Sequence, residues 1–170
     1  MSGRVLVAGI GNIFLTDDGF GPEVARRLTA RSLPAGVVVT DYGIRGMHLA
    51  YDLLDGYDAL VIVDAVPHSA EPGDLVVLAV GPDDVGDGDF DAHGMEPTAV
   101  LASLGSLGGE LPPTYVVGCQ PADVAEGIGL TPAVEAAIGP AVETVTRLLA
   151  QDLPLTEDNP LLSREKENQP

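Results

Sequence analysis

The chain of 170 residues fits about one domain, because domains commonly hold roughly 100–200 residues. Its 8 basic and 26 acidic residues give a formal net charge of −18, which excludes a nucleic-acid or anionic-membrane binding surface, since both require clustered positive charge. A single cysteine, no apolar run near the ~18 residues of a membrane span, and an N-terminal apolar run too short for a signal peptide together predict a soluble cytoplasmic domain.

The first half of the chain predicts alternating strands and helices. Arg4–Gly9 is predicted to be a buried strand, because β-branched and apolar residues follow Arg4 and the run ends at glycine. Pro22 is well suited to the first turn of a helix. A second strand is predicted at Val37–Thr40 and a short helix at Met47–Leu54. The run Ala59–Val63 is apolar throughout, which is typical of a strand covered by helices on both faces.

The second half predicts two further strands and two further helices. The connection after the third strand is too short for a parallel crossover, so we expect the fourth strand, Asp74–Leu78, to form a hairpin and run antiparallel. The remaining elements are a loop at Gly81–Ala92, a helix at Gly94–Leu104, a strand at Tyr115–Cys119 and a helix capped by Thr131, started by Pro132 and kinked at Pro140.

These elements predict an α/β fold with three layers, α/β/α, around a five-stranded, mostly parallel sheet with one antiparallel strand. We expect residues 1–153 to form the single domain. Residues 154–170 contain three prolines among charged and amide residues, a composition that predicts a disordered tail.

Polar residues follow several of the predicted strands. Asp17 and Asp18 lie in the loop after the first strand, Asp64 ends the third, and His93 precedes a helix after the fourth. Ligands bind at the carboxyl ends of strands in open α/β sheets. Two carboxylates and a neutral imidazole suit a first-row divalent cation, so Asp64 and His93, together with Asp17 or Asp18, are candidate metal ligands and catalytic residues.

A dinucleotide site is the first alternative, because Gly9-Ile10-Gly11 follows a strand and Asp41 ends the next one. Phe14 stands where the third glycine of that fingerprint belongs. Two unit charges ~4 Å apart at an effective dielectric of ~20 repel by about 4 kcal/mol, so Asp17 and Asp18 would disfavour a pyrophosphate. Cys119 lies within an apolar strand and is interpreted as an inert core thiol.

Several motifs in this order resemble the hydrogenase maturation endopeptidase family. The resemblance covers roughly residues 4–150 and is carried by Val5–Asn12, Asp17–Gly21, Val63–Ala65, His93 before a helix, Gly118–Pro121 and Leu130–Pro132. It implies an endopeptidase that removes the C-terminal extension of the nickel–iron hydrogenase large-subunit precursor after nickel insertion. The family's metal-contacting positions fall on Asp18, Asp64 and His93, and the resemblance implies nickel that the substrate supplies rather than a stably held cofactor.

Two positions depart from the family pattern. Asp41, Tyr42 and Gly43 stand in a segment that the resemblance links to substrate recognition, where the family often has Asp-Gly-Gly-Thr. Gln120 stands where an acid is common, so no catalytic role is assigned to it.

Several alternatives stay open at this point. Asp18 can serve as general base instead of ligand. A non-enzymatic metallochaperone or docking protein would use the same three ligands, and a metal-independent protease would share the architecture. His68 follows Pro67 near Asp64 and is a further candidate for lining the site, and Tyr42 is a candidate for either substrate contact or packing.

Overall fold

The computed structural model describes residues 3–81, 104–105 and 107–163. The strands are β1 (Val5–Ile10), β2 (Val37–Gly43), β3 (Ala59–Ala65), β4 (Leu75–Val80) and β5 (Thr114–Cys119). A 3-10 turn spans Thr16–Gly19, and the helices are α1 (Phe20–Thr29), α2 (Gly46–Leu53) and α3 (Pro132–Leu149), which continues through Pro140. Within these described ranges, no helix is both long enough and apolar enough to cross a lipid bilayer.

The five strands form one sheet in the order β2-β1-β3-β5-β4. Every neighbouring pair is parallel except β4 with β5, which confirms the predicted mostly parallel sheet with one antiparallel strand. The predicted hairpin between the third and fourth strands is wrong, because β5 lies between them. The loop after β3 spans the width of one strand before β4 begins. The later strand β5 lies between the two and pairs in parallel with β3.

Alternate residues of the strands face two separate apolar layers, as a sheet covered on both sides requires. Val61 and Val63 of β3 belong to the cluster packed under α1 and α3. Leu60 and Ile62 belong to the opposite cluster, which includes Leu49 of α2. The three-layer α/β/α architecture is therefore confirmed. Of the helix predicted at Gly94–Leu104, only the buried, helical Leu104 is described.

Two glycines let α1 approach the centre of the sheet closely. A Cβ at Gly21 would lie 2.3 Å from the carbonyl oxygens of Ile10 and Val63, and one at Gly9 would lie 2.6 Å from the carbonyl oxygen of Gly21. Both distances are far below van der Waals contact. The start of α1 is thus fixed directly against the ends of β1 and β3, where the candidate site lies.

The segment after α3 differs from the predicted disordered tail as far as residue 163. The backbone N–H of Leu155 donates to the Tyr115 hydroxyl at 2.6 Å. Val77 and Ser163 exchange two hydrogen bonds, both 2.8 Å long. Leu161 and two other leucines of this segment, Leu155 and Leu162, pack against the α1–α3 apolar cluster. Partly buried leucines thus hold this segment against the domain despite its prolines, and residues 164–170 lie outside the described part.

Candidate active site

A cavity of about 480 Å³ opens at the carboxyl edge of the sheet, between the loops that follow β1, β2, β3 and β5. Among the described residues that line it, Asp18 and Asp64 are the acidic ones. The remaining lining is mostly apolar or backbone: Ile10, Gly11, Asn12, Leu15, Ile44, Ala65, Pro67, Pro121 and Val124. The two predicted carboxylates therefore lie in one cavity although 46 positions separate them in the sequence.

Asp18 is oriented by the loop that follows β1. Its Oδ2 accepts a 2.7 Å hydrogen bond from the backbone N–H of Asn12. The backbone of Gly11 has a φ of +150°, and a Cβ there would lie 1.9 Å from the carbonyl oxygen of Asp18. A glycine is therefore required at position 11 because the loop folds back onto itself. This bond holds one carboxylate oxygen of Asp18 in a defined position at the cavity.

Asp64 lies near the end of β3, in the central part of the sheet. Alternation along the strand puts its side chain on the same side as those of Leu60 and Ile62. The residue is only 7% exposed, and this small exposed fraction faces the cavity. A carboxylate in so restricted a position has little access to water and is well suited to act on a bound ligand.

Asp17, the neighbour of Asp18, is fully buried and points into the protein. Its carboxylate accepts hydrogen bonds from the Thr131 backbone N–H (2.7 Å) and hydroxyl (2.8 Å). It also accepts bonds from the backbone N–H groups of Ala122 (2.8 Å) and Asp123 (3.1 Å). Burial by itself would raise the pKa of Asp17, but these hydrogen bonds outweigh it and hold the pKa below its ordinary value. Asp17 thus anchors the loop after β5 to the turn that carries Asp18.

Thr131 occupies the N-cap position of α3, as predicted, but its side chain makes no capping bond to the helix. Its hydroxyl donates to Asp17 instead. The threonine therefore serves a long-range contact rather than the local one that its position suggested.

Asp41–Gly43 are the last residues of β2 and lie beside the cavity. Asp41 Oδ1 accepts from the Gly43 backbone N–H at 2.9 Å, and the Gly43 carbonyl accepts from Gly11 N–H at 3.0 Å. Gly43 has a φ of +57°, a left-handed conformation that glycine adopts without strain. The end of β2 brings the next residue, Ile44, to the cavity wall.

Tyr42 packs into the core, which corrects its prediction as a substrate-contacting residue. It is 2% exposed, and its hydroxyl donates to Asp52 Oδ2 at 2.6 Å. Burial, followed by the bond to Asp52, raises the pKa of Tyr42 above its ordinary value. Of the two roles open to this side chain from the sequence, packing is the one the structure shows.

Gln120 organises the loop that follows β3. Its Oε1 accepts hydrogen bonds from the backbone N–H groups of His68 (2.6 Å) and Ala70 (3.4 Å). The His68 ring pairs with the Asp74 carbonyl at 3.0 Å and is not part of the cavity lining, whereas Pro67 is. Gln120, which stands where the family commonly has an acid, therefore holds the loop after β3 in place near the site.

His93, the third predicted ligand, lies outside the described residues. Within the described ranges no three His, Cys, Asp or Glu residues come close enough together to hold a metal ion. Cys119 is fully buried, and burial raises the pKa of its thiol to about 11, as expected for an inert core cysteine.

The apolar wall of the cavity was not predicted from the sequence. Ile44, Val124 and Pro121 follow strands in the same way as the acids do, but a single hydrophobic residue in a loop carries no chemical signal. Only their position after β2 and β5 indicated that they share the carboxyl edge. The glycines at the end of β1 suggested a dinucleotide site, but they allow close contacts within the loop itself, as between Gly11 and the Asp18 carbonyl.

Comparison with known proteins adds independent findings. The family model described as hydrogenase maturation protease matches residues 22–148. The chain is 36% identical to the hydrogenase 2 maturation protease of Escherichia coli over 159 residues, 87% of this chain and 92% of that protein. It is 31% identical to the hydrogenase expression/formation protein HupD of Bradyrhizobium diazoefficiens, over 95% of this chain and 90% of the other.

A solved structure agrees with these sequence matches. The hydrogenase maturating endopeptidase HybD from E. coli superposes with a TM-score of 0.74 at 35% identity, covering 86% of this chain and 92% of that chain. The structural similarity thus extends over most of both chains.

Proposed function

Because the chain belongs to the hydrogenase maturation protease family, we propose that it is an endopeptidase that removes the C-terminal extension of a nickel–iron hydrogenase large-subunit precursor once nickel has been inserted. The observation that carries this proposal is the shared cavity of Asp18 and Asp64. Two acids from distant parts of the chain, enclosed by apolar walls, suit a site that must engage both a divalent cation and a peptide.

Nickel in this proposal is cargo of the substrate. Asp18, Asp64 and His93 would contact it when the precursor docks, and the ion would supply positive charge that polarises the scissile carbonyl. Carboxylate oxygen and imidazole nitrogen are ligand types that such ions accept. The proposal for His93 depends on the resemblance alone, and that for the two acids is also supported by their common cavity.

The contacts of Asp18 allow a second role for the same side chain. Asn12 N–H occupies Oδ2, which leaves Oδ1 available to take a proton from an attacking water. Asp64 is buried, and a carboxylate with little access to water gains most from a cationic partner. Asp64 is therefore proposed as the acid that lies nearer to the bound ion. We therefore propose Asp18 as the better candidate for general base.

The test is incubation of the purified protein with nickel-loaded precursor and, separately, with nickel-free precursor. We expect mass spectrometry to detect loss of a C-terminal peptide from the nickel-loaded protein alone. A stable complex without loss of mass would instead support a docking protein or metallochaperone. Equal cleavage of both precursors would contradict nickel recognition while leaving the protease activity in place.

A further inference from the structure

Exposed apolar side chains gather around the mouth of the cavity. Of the nine large apolar side chains exposed in the described part of the chain, five come from the loops after β1, β2 and β5. We call these five the apolar collar: Ile13, Phe14, Ile44, Val124 and Ile128. Phe14 is 60% exposed and Ile128 is 80% exposed, and it is the grouping of such side chains, rather than any single one, that indicates a binding surface.

The collar is continuous with the cavity. Ile44 and Val124 belong to both, because they line the cavity and are each more than half exposed. The Phe14 carbonyl accepts a 2.9 Å hydrogen bond from the Gly127 N–H, which joins the two loops directly before Ile128. An extended segment that reaches the two acids would therefore cross this apolar surface.

Hydrogen bonds hold the collar open. Thr16 has a φ of +53°, a strained conformation for a β-branched residue, and it is fixed by bonds to the Gly127 carbonyl (2.9 Å, from its N–H) and the Ala125 carbonyl (2.6 Å, from its hydroxyl). The buried Asp17 fixes the same loop at Ala122 and Asp123. Loops tied in this way leave their apolar side chains exposed, and a partner that covers them would gain the free energy of removing apolar surface from water.

The charges around the collar define the partner further. Asp18 and Asp64 lie inside the mouth, and Asp123 and Glu126 are exposed in the loop that carries two collar residues. No Lys or Arg occurs between residues 46 and 146 to offset them. Arg45, next to Ile44, is engaged with the carbonyl oxygens of Asp41 and Tyr42. The mouth therefore favours a cationic segment over an anionic one.

We propose that the apolar collar is the docking surface for an extended peptide segment of the precursor that carries large apolar side chains together with Lys or Arg. This inference rests on the proposed function for the identity of the partner. The peptide chemistry follows from the collar and its charges alone. The collar would determine which segment enters the cavity, and the acids would act on it afterwards.

The test uses three fluorescent peptides of equal length: one of Leu, Phe and Lys, a second with Glu in place of each Lys, and a third with Ser in place of each Leu and Phe. We expect the first to bind measurably tighter than the other two, with an affinity that falls as salt is added. Phe14→Ser and Ile128→Ser should each weaken its binding by about tenfold, the equivalent of about 1.4 kcal/mol. With nickel-loaded precursor, both variants should raise KM and leave kcat unchanged.

Tyr51→Ser is the matched control, because Tyr51 is 53% exposed on α2, outside the collar, and should bind the first peptide like the unmodified protein. Unchanged binding by Phe14→Ser and Ile128→Ser would overturn the proposal, and so would equal binding of all three peptides. If the collar variants lose peptide binding but the unmodified protein leaves every precursor uncut, the proposed function fails while the docking surface stands.

Discussion

Asp17 and Thr131 are 114 residues apart, yet the carboxylate of one accepts both the backbone N–H and the hydroxyl of the other. Two more backbone N–H groups, from Ala122 and Asp123, complete the set of donors. The turn that carries Asp18 and the loop that carries Val124 are therefore fixed to each other. Geometry at the mouth of the cavity depends on a residue that does not itself reach the cavity.

We expect Asp17→Ala to lower the free energy of unfolding by roughly 3 kcal/mol, because it leaves several buried N–H groups without an acceptor. Urea denaturation would measure this loss. The exposed Glu157→Ala is a suitable control and should change stability by less than about 0.5 kcal/mol. A stability equal to the control would mean that the network contributes nothing net.

The same carboxylate predicts acid sensitivity. The pKa of Asp17 is lower in the folded protein than its ordinary value of 3.8, so its stabilising contribution is complete above that value and is lost as the pH falls through the lower, folded pKa. The difference in free energy of unfolding between the unmodified protein and Asp17→Asn should therefore be largest above about pH 4 and shrink progressively as the pH falls further. A difference in free energy of unfolding that stays constant at every pH would show that the ionised carboxylate of Asp17 is not its source.

For the two acids of the cavity, we expect Asp18→Asn and Asp64→Asn to fold normally and to process nickel-loaded precursor on the order of 10²-fold more slowly. Asp18→Glu retains the charge and should keep most of the activity. Rates would be read from the appearance of the shortened large subunit on a gel, with circular dichroism as the check on folding. Processing at an unchanged rate by either Asn variant would remove that residue from the active site.

Gln120 offers a test of the loop after β3. Its amide oxygen accepts from His68 and Ala70, so Gln120→Ala should speed hydrogen exchange at those two backbone amides. Gln120→Glu keeps an acceptor at the same place and should protect them. Exchange rates measured by NMR would decide, and equal rates in all three proteins would show that the loop is held by other contacts.

The segment after α3 can be tested by truncation. A chain that ends at Leu153 loses three leucines from the α1–α3 cluster and both bonds between Val77 and Ser163, and we expect it to be less stable by roughly 3 kcal/mol. A chain that ends at Ser163 keeps all these contacts and is the matched control. Identical thermal unfolding of the two truncated chains would show that the segment does not stabilise the domain.

Local patterns in the sequence determined the elements of the sheet and the position of one acid. The apolar run Ala59–Val63 is readable as a buried strand because alternation and burial act on neighbouring residues, and Asp64 directly after it must then lie at the carboxyl edge. The order of strand and helix, and the antiparallel fourth strand, follow from similarly short-range signals. His93 was predicted in the same way and remains a prediction.

Only the tertiary structure distinguished the two adjacent acids, Asp17 and Asp18. Both follow the same strand and carry the same charge, but one faces Thr131 inside the protein and the other faces the cavity. Tyr42 in the core, β5 between β3 and β4, and the packing of Leu161 were decided in the same way. These outcomes depend on contacts between residues far apart in the chain. The energy of such contacts exists only when the segments have folded together, so no local pattern encodes it.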